Sequence, residues 1–88
     1  MIVQEFNLKD FSPADLYKYC LEYIEKRTYF KAKRIAEDFL VEHGFIRWKR
    51  EYLENIKTVT HRFTKVIRKL KAEGIIEQYT RFLYIRKK

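Results

Sequence analysis

The chain has 88 residues, of which 47% are hydrophobic and 36% charged, and its 20 Lys+Arg against 12 Asp+Glu give a formal net charge of +8. That length suits one domain, and the close mixing of charged with apolar residues excludes both a disordered chain and one embedded in a bilayer. Seven Phe, seven Tyr and one Trp supply a core, while two Gly and one Pro leave little room for long irregular loops, so a compact, mostly helical domain is expected.

In chain order, Ile2, Val3, Phe6 and Leu8 predict a strand or arm within residues 1–11 that packs on the domain. This opening stretch contains acids and no apolar run of signal-peptide length, and no later run is long enough to span a bilayer. A cytoplasmic protein without membrane contact is expected. Ser12-Pro13-Ala14-Asp15 then places a hydroxyl N-cap, a proline at the first helical position and an acid that can return a bond to the cap. Phe11 and Leu16 are spaced for a hydrophobic staple. Leu16, Tyr19, Cys20, Tyr23 and Ile24 recur at helical spacing, predicting a first helix over about 13–26. Tyr17 and Leu21 widen its apolar face and offer surface to a second copy of the chain. Cys20 is the only cysteine, so no internal disulfide or thiolate zinc cluster can form; a small buried hydrophobe is favoured over a redox role.

Thr28-Tyr29-Phe30 is a short β-prone stretch. Ala32, Ile35, Ala36, Phe39 and Leu40 mark a second helix that should stop near His43, because Gly44 suits a left-handed cap. Residues 45–56 are ambiguous. Apolar residues continue at helix-like spacing from Phe45 through Trp48, Tyr52 and Ile56 to Leu70, which is compatible with one long helix. Asn55 as an N-cap, followed by Lys57-Thr58-Val59-Thr60, favours a connecting segment or short helix and then a third helix over about 56–73. Trp48 and Tyr52 are expected in the core. After Gly74, residues 75–86 read as two strands around a polar tip at Gln78–Arg81.

The fold class expected is therefore mostly α with a small β-hairpin, in the order α-β-α-α-β-β. That order, and above all the run from Thr60 to Ile76, in which a basic helix passes through Leu70, Lys71, Ala72, Glu73 and Gly74 into Ile75-Ile76, resembles the winged helix-turn-helix family over residues 12–86. In size and composition the chain is similar to small regulators of archaea and archaeal viruses. The resemblance implies a double-stranded DNA-binding transcription regulator, a homodimer, in the cytoplasm (the host cytoplasm if viral). It departs from the family in a longer link between the second and third helices and in lacking Gly at the wing tip.

The charge distribution agrees independently. Residues 1–44 hold seven Lys/Arg and eight Asp/Glu, net −1; residues 45–88 hold thirteen and four, net +9. A field of one sign in one half attracts a polyanion. On a wheel of 100° per residue, Val59, Phe63, Val66, Ile67 and Leu70 form a core stripe, and Lys57, His61, Thr64, Lys65 and Arg68 oppose it. Thr60 and Lys71 flank that face. Between Lys57 and Lys71 stand six basic residues and no acid, where a solvated helix would interleave Glu with Lys.

The candidate DNA-binding residues are thus Lys57, Thr60, His61, Thr64, Lys65, Arg68 and Lys71, with Arg81 at the hairpin tip. Thr64, His61 and Arg68 are expected on base edges, and Lys57, Lys65 and Lys71 on phosphates. Lys31, Lys33 and Arg34, the group Arg47, Trp48, Lys49 and Arg50, and the tail Arg86, Lys87 and Lys88 are weaker candidates. No metal site, catalytic constellation, cofactor or small-molecule ligand is expected: His43 and His61 stand far apart, and no carboxylate pair or nucleophile group is in place. The alternative function is a protein- or RNA-binding module of a replication, transcription or ribosomal assembly.

Overall fold

The computed structural model describes residues 7–87. A 3₁₀ turn, Leu8–Asp10, leads into helix α1 (Pro13–Glu25); strand β1 (Tyr29–Phe30), helix α2 (Ala32–Glu42), helix α3 (Arg50–Ala72) and strands β2 (Ile76–Gln78) and β3 (Tyr84–Arg86) follow. Among the described residues the result is a mostly helical fold with one three-stranded antiparallel sheet, ordered β1-β3-β2. Among the described residues no helix is long and apolar enough to cross a membrane.

Local chemistry accounts for the helix ends. Ser12 Oγ accepts the Asp15 backbone N–H at 3.1 Å, and the Asp15 carboxylate accepts the Ser12 N–H at 2.9 Å, closing a reciprocal capping box at the start of α1. Helices α2 and α3 both end in Schellman motifs. Gly44 (φ 94°) and Gly74 (φ 78°) take the left-handed conformation that side chains resist. The next residue in each case, Phe45 or Ile75, donates its N–H back to Leu40 or Leu70 at 3.0 Å. The expected stops at both glycines stand.

Three expectations are corrected. The third helix begins at Arg50, not near residue 56, so residues 45–49 alone form the link. Asn55 does not cap; its side-chain amide donates to the Glu51 carbonyl at 2.8 Å inside the helix. Tertiary burial of Tyr52, Val59, Phe63, Val66, Ile67 and Leu70 along one stripe outweighs the weak propensity of the Thr-rich stretch. Trp48 is not in the core: it turns the link with φ 68° and is 66% exposed, its ring lying 5.7 Å from that of the buried Tyr52. Of the strand or arm expected over residues 1–11, only residues 7–11 are described: Leu8–Asp10 make a 3₁₀ turn, the Asn7 side chain accepts the Lys9 N–H, and Leu8 and Phe11 pack against the core. Ile2, Val3 and Phe6 lie outside the described residues.

The core sits between the three helices. Leu16, Cys20, Tyr23 and Ile24 of α1 meet Ile35, Ala36, Phe39 and Leu40 of α2 and the α3 stripe. Phe39 is its aromatic hub, edge-on to Phe63 (5.3 Å), Tyr19 (5.1 Å) and Phe11 (5.1 Å). The Phe11 ring, expected to staple onto Leu16, packs on the core that contains Leu16 and also reaches Phe39 of α2. Burial pushes the Cys20 thiol up to about 12, which suppresses the reactive thiolate. The sheet is closed by a pairing of high sequence separation: Tyr29 and Phe30 lie opposite Ile85 and Tyr84. Tyr17 and Leu21, expected to offer surface to a second copy, are half-buried against this same core.

Candidate nucleic-acid interface

Helix α3 presents its opposite face to solvent. Lys57, His61, Lys65, Arg68 and Lys71 are exposed there, while Thr60 and Thr64 are half-buried at the rim. The Thr64 hydroxyl donates to the Thr60 carbonyl one turn earlier at 2.9 Å, which leaves its oxygen as an acceptor.

The cations of this helix divide by what they touch. Arg62 donates to the Phe11 carbonyl at 3.1 Å and clips the chain before α1 onto α3. Lys69 lies over the Tyr17 ring at 5.2 Å, and the Tyr17 hydroxyl bonds Glu73. Lys71, expected on a phosphate, donates to Gln78 Oε1 at 3.0 Å and so joins the helix to the hairpin. Lys57, Lys65 and Arg68 have no hydrogen bond or ion pair among the described residues. Three of the six basic side chains are therefore uncompensated, and all three lie on the face opposite the core.

Besides a cleft of about 680 Å³ over Lys33, Lys57, Thr60, His61 and Thr64, two clefts flank α3. One, of about 540 Å³, runs between α3, the start of α2 and the hairpin; Lys31, Lys33, Thr60, Thr64, Arg68 and Arg81 line it together with Phe82. The other, of about 680 Å³, lies between the first turn of α1 and Arg62, Lys65 and Lys69. The first cleft brings Lys31, Lys33 and Arg81 into one site with the centre of α3. Positive potential is thus gathered around a groove lined by cations and hydroxyls.

Other candidates are placed elsewhere. Asp38 gathers Arg47 at 2.9 Å, Arg34 and Arg27 at 3.8 Å, and the Tyr23 hydroxyl at 2.7 Å. Arg34 and Arg47 are thereby drawn into an intramolecular cluster rather than toward the cleft. Burial, with the Asp38 bond, pushes the Tyr23 phenol up to about 12, so it stays a donor to that carboxylate. Arg86 donates to the Glu25 carbonyl at the end of α1 at 2.9 Å. Arg50 pairs with Glu54 at 3.3 Å on the exposed surface. Lys88 lies outside the described residues.

The residue that sequence reasoning missed is Phe82. It reads as strand material, yet it is 68% exposed at the hairpin turn and lines the first cleft. Its only signal was its place directly after Arg81 at a tip lacking Gly. Among the described residues no three His, Cys, Asp or Glu side chains stand together as metal ligands. The chain matches no protein-family model, and neither the curated proteins nor the solved structures contain one significantly similar to it.

Proposed function

We propose that this chain is a winged helix-turn-helix protein that binds double-stranded DNA, with α3 in the major groove and the β2–β3 hairpin as its wing. The observation that carries this reading is the face of α3 on which Lys57, Lys65 and Arg68 stand without a hydrogen bond or ion pair among the described residues, in a half-chain of net charge +9. An α-helix fits the major groove, where Arg68 can fork onto a guanine edge and the Thr64 methyl group can meet a thymine. Lys57 and Lys65 reach phosphates on either side, and Lys31, Lys33 and Arg81 extend the contact along one strand. The reading assigns DNA binding in transcription regulation and no chemistry.

A protein-binding module would need an apolar patch on that face. Of the exposed large apolar residues Phe82 alone lines the cleft beside that face, whereas Ile46, Trp48 and Leu53 lie at the elbow between α2 and α3. That elbow is the surface we assign to a homodimer, which would present two α3 helices to two half-sites. Arg50, Glu51 and Glu54 give it both signs of charge, so a two-fold contact can be complementary to itself.

A duplex titration at increasing salt, beside selection of bound molecules from random duplex and single-stranded RNA pools, tests the reading. With about six phosphates neutralised, log K should fall with a slope of about −5 against log salt, and affinity by roughly 10³ between about 50 and 200 mM. A flat response, or enrichment from the RNA pool alone, refutes it.

A further inference from the structure

The hairpin turn is built to present one aromatic side chain. Thr80 and Leu83 exchange backbone hydrogen bonds at 3.1 and 3.3 Å, which puts Arg81 and Phe82 at the two corner positions. Gln78 Nε2 donates to the Arg81 carbonyl at 3.0 Å, and Gln78 is itself held by Lys71 of α3. On one side of the hairpin Tyr79 packs its ring against Tyr29, centroids 5.7 Å apart. The turn is therefore tied to the helix through side chains as well as through the sheet. At its apex Phe82 is 68% exposed, with the Arg81 guanidinium 5.3 Å from its ring centroid, and residues 79–83 contain no acid.

A single exposed apolar side chain is ordinary on a protein surface. Three features set Phe82 apart: the braced turn beneath it, the cation beside it, and its continuity with the cleft that holds Thr60, Thr64 and Arg68. A nucleic-acid strand lying in that cleft would have α3 on one side and the hairpin apex on the other. In a duplex, the two sides of one backbone are the major and the minor groove.

We propose that Phe82 is a wedge that enters the minor groove beside the major groove read by α3 and partly unstacks one base step, with Arg81 on the flanking phosphate. This rests on the DNA-binding reading above. An inserted apolar ring leaves water for the base stack, and the kink it opens lets more protein surface meet the duplex. Pyrimidine–purine steps unstack most readily, so the preferred duplexes should carry such a step at a fixed distance from the bases read by α3.

The test uses a selected duplex with 2-aminopurine at that step and fluorophores at both ends, titrated with the wild type, Phe82→Ala, Phe82→Leu and Arg81→Ala, beside one of its single strands. Binding of the wild type should raise the 2-aminopurine emission and shorten the end-to-end distance. Phe82→Leu should keep both changes. Phe82→Ala should lose both and bind about tenfold more weakly, with an unaltered salt slope because no charge is removed. Arg81→Ala should lower that slope by about one. Wild-type binding with no change in emission or distance overturns the wedge alone. So does a Phe82→Ala loss larger on the single strand than on the duplex, which would make the ring a platform for an unpaired base. Failure of the wild type to bind any duplex overturns the DNA-binding reading, and the wedge with it.

Discussion

Arg68→Ala separates reading of bases from attraction to phosphate. Arg68 is exposed and has no hydrogen bond or ion pair among the described residues, so its truncation breaks neither there. Folding stability should change by less than about 0.5 kcal/mol. If the guanidinium forks onto a guanine, the preferred duplex should lose about 1–3 kcal/mol, roughly 5- to 150-fold in affinity. Preference at one or two base pairs should relax at the same time. If Arg68 meets only a phosphate, site preference should survive and the salt slope should fall by about 0.9. Arg68→Lys sharpens the contrast, because it restores the charge and the slope but not the planar fork. Anisotropy titrations on the selected site and on single-base variants, at several salt concentrations, give all three quantities, and a thermal melt of each variant checks the fold. Unchanged affinity and preference in a folded Arg68→Ala protein would show that α3 does not read DNA. Lys71→Ala is a poor substitute for this test, because it also frees Gln78 and with it the hairpin turn.

Phe63 is fully buried against Phe39 and Tyr19, so Phe63→Ala should cost about 3–5 kcal/mol in denaturant unfolding; a loss below about 1 kcal/mol would contradict the packing described. The Ser12 backbone and side-chain hydrogen bonds hold the exposed Asp15 carboxyl below its ordinary 3.8. Its contribution to stability is thus present above that value and lost as pH falls through the lowered one. The difference in Tm between wild type and Asp15→Asn should accordingly shrink from about pH 5 toward about pH 2, and a gap that is constant with pH would refute the capping role. Light scattering should return twice 11.0 kDa, and Trp48→Ala with Leu53→Ala should return the monomer; a wild-type mass of 11.0 kDa at tens of micromolar would remove the homodimer.

What the amino-acid sequence determined by itself is the set of features written within a few residues of one another. The Ser12–Asp15 box, the stops at Gly44 and Gly74, and the α3 stripe through Val59, Phe63, Val66 and Leu70 all arise from cap chemistry and a 3.6-residue period, which need no distant partner. The net +9 of residues 45–88 was equally legible, and so was the face opposite the core stripe on which Lys57, Lys65 and Arg68 stand.

Distant partners decided the rest. Only the paired β1 and β3, some 55 positions apart, turn a hairpin into a three-stranded sheet. Burial of one stripe from Tyr52 to Leu70 kept α3 continuous from Arg50 through the β-branched stretch Thr58–Thr60, and the backbone turn at Trp48 put that ring in solvent. Which cations are free was also a tertiary matter. Arg62, Lys69, Lys71 and Arg86 find acceptors or a ring far along the chain or across the fold, at Phe11, Tyr17, Gln78 and Glu25. Arg34 and Arg47 converge with Arg27 on Asp38. A count of charges along the sequence cannot distinguish a lysine that faces solvent from one that braces a turn, because the partner is chosen by the fold. Phe82 shows the same limit from the apolar side: composition placed it in the strands, and the tight turn between Thr80 and Leu83 put it at the apex.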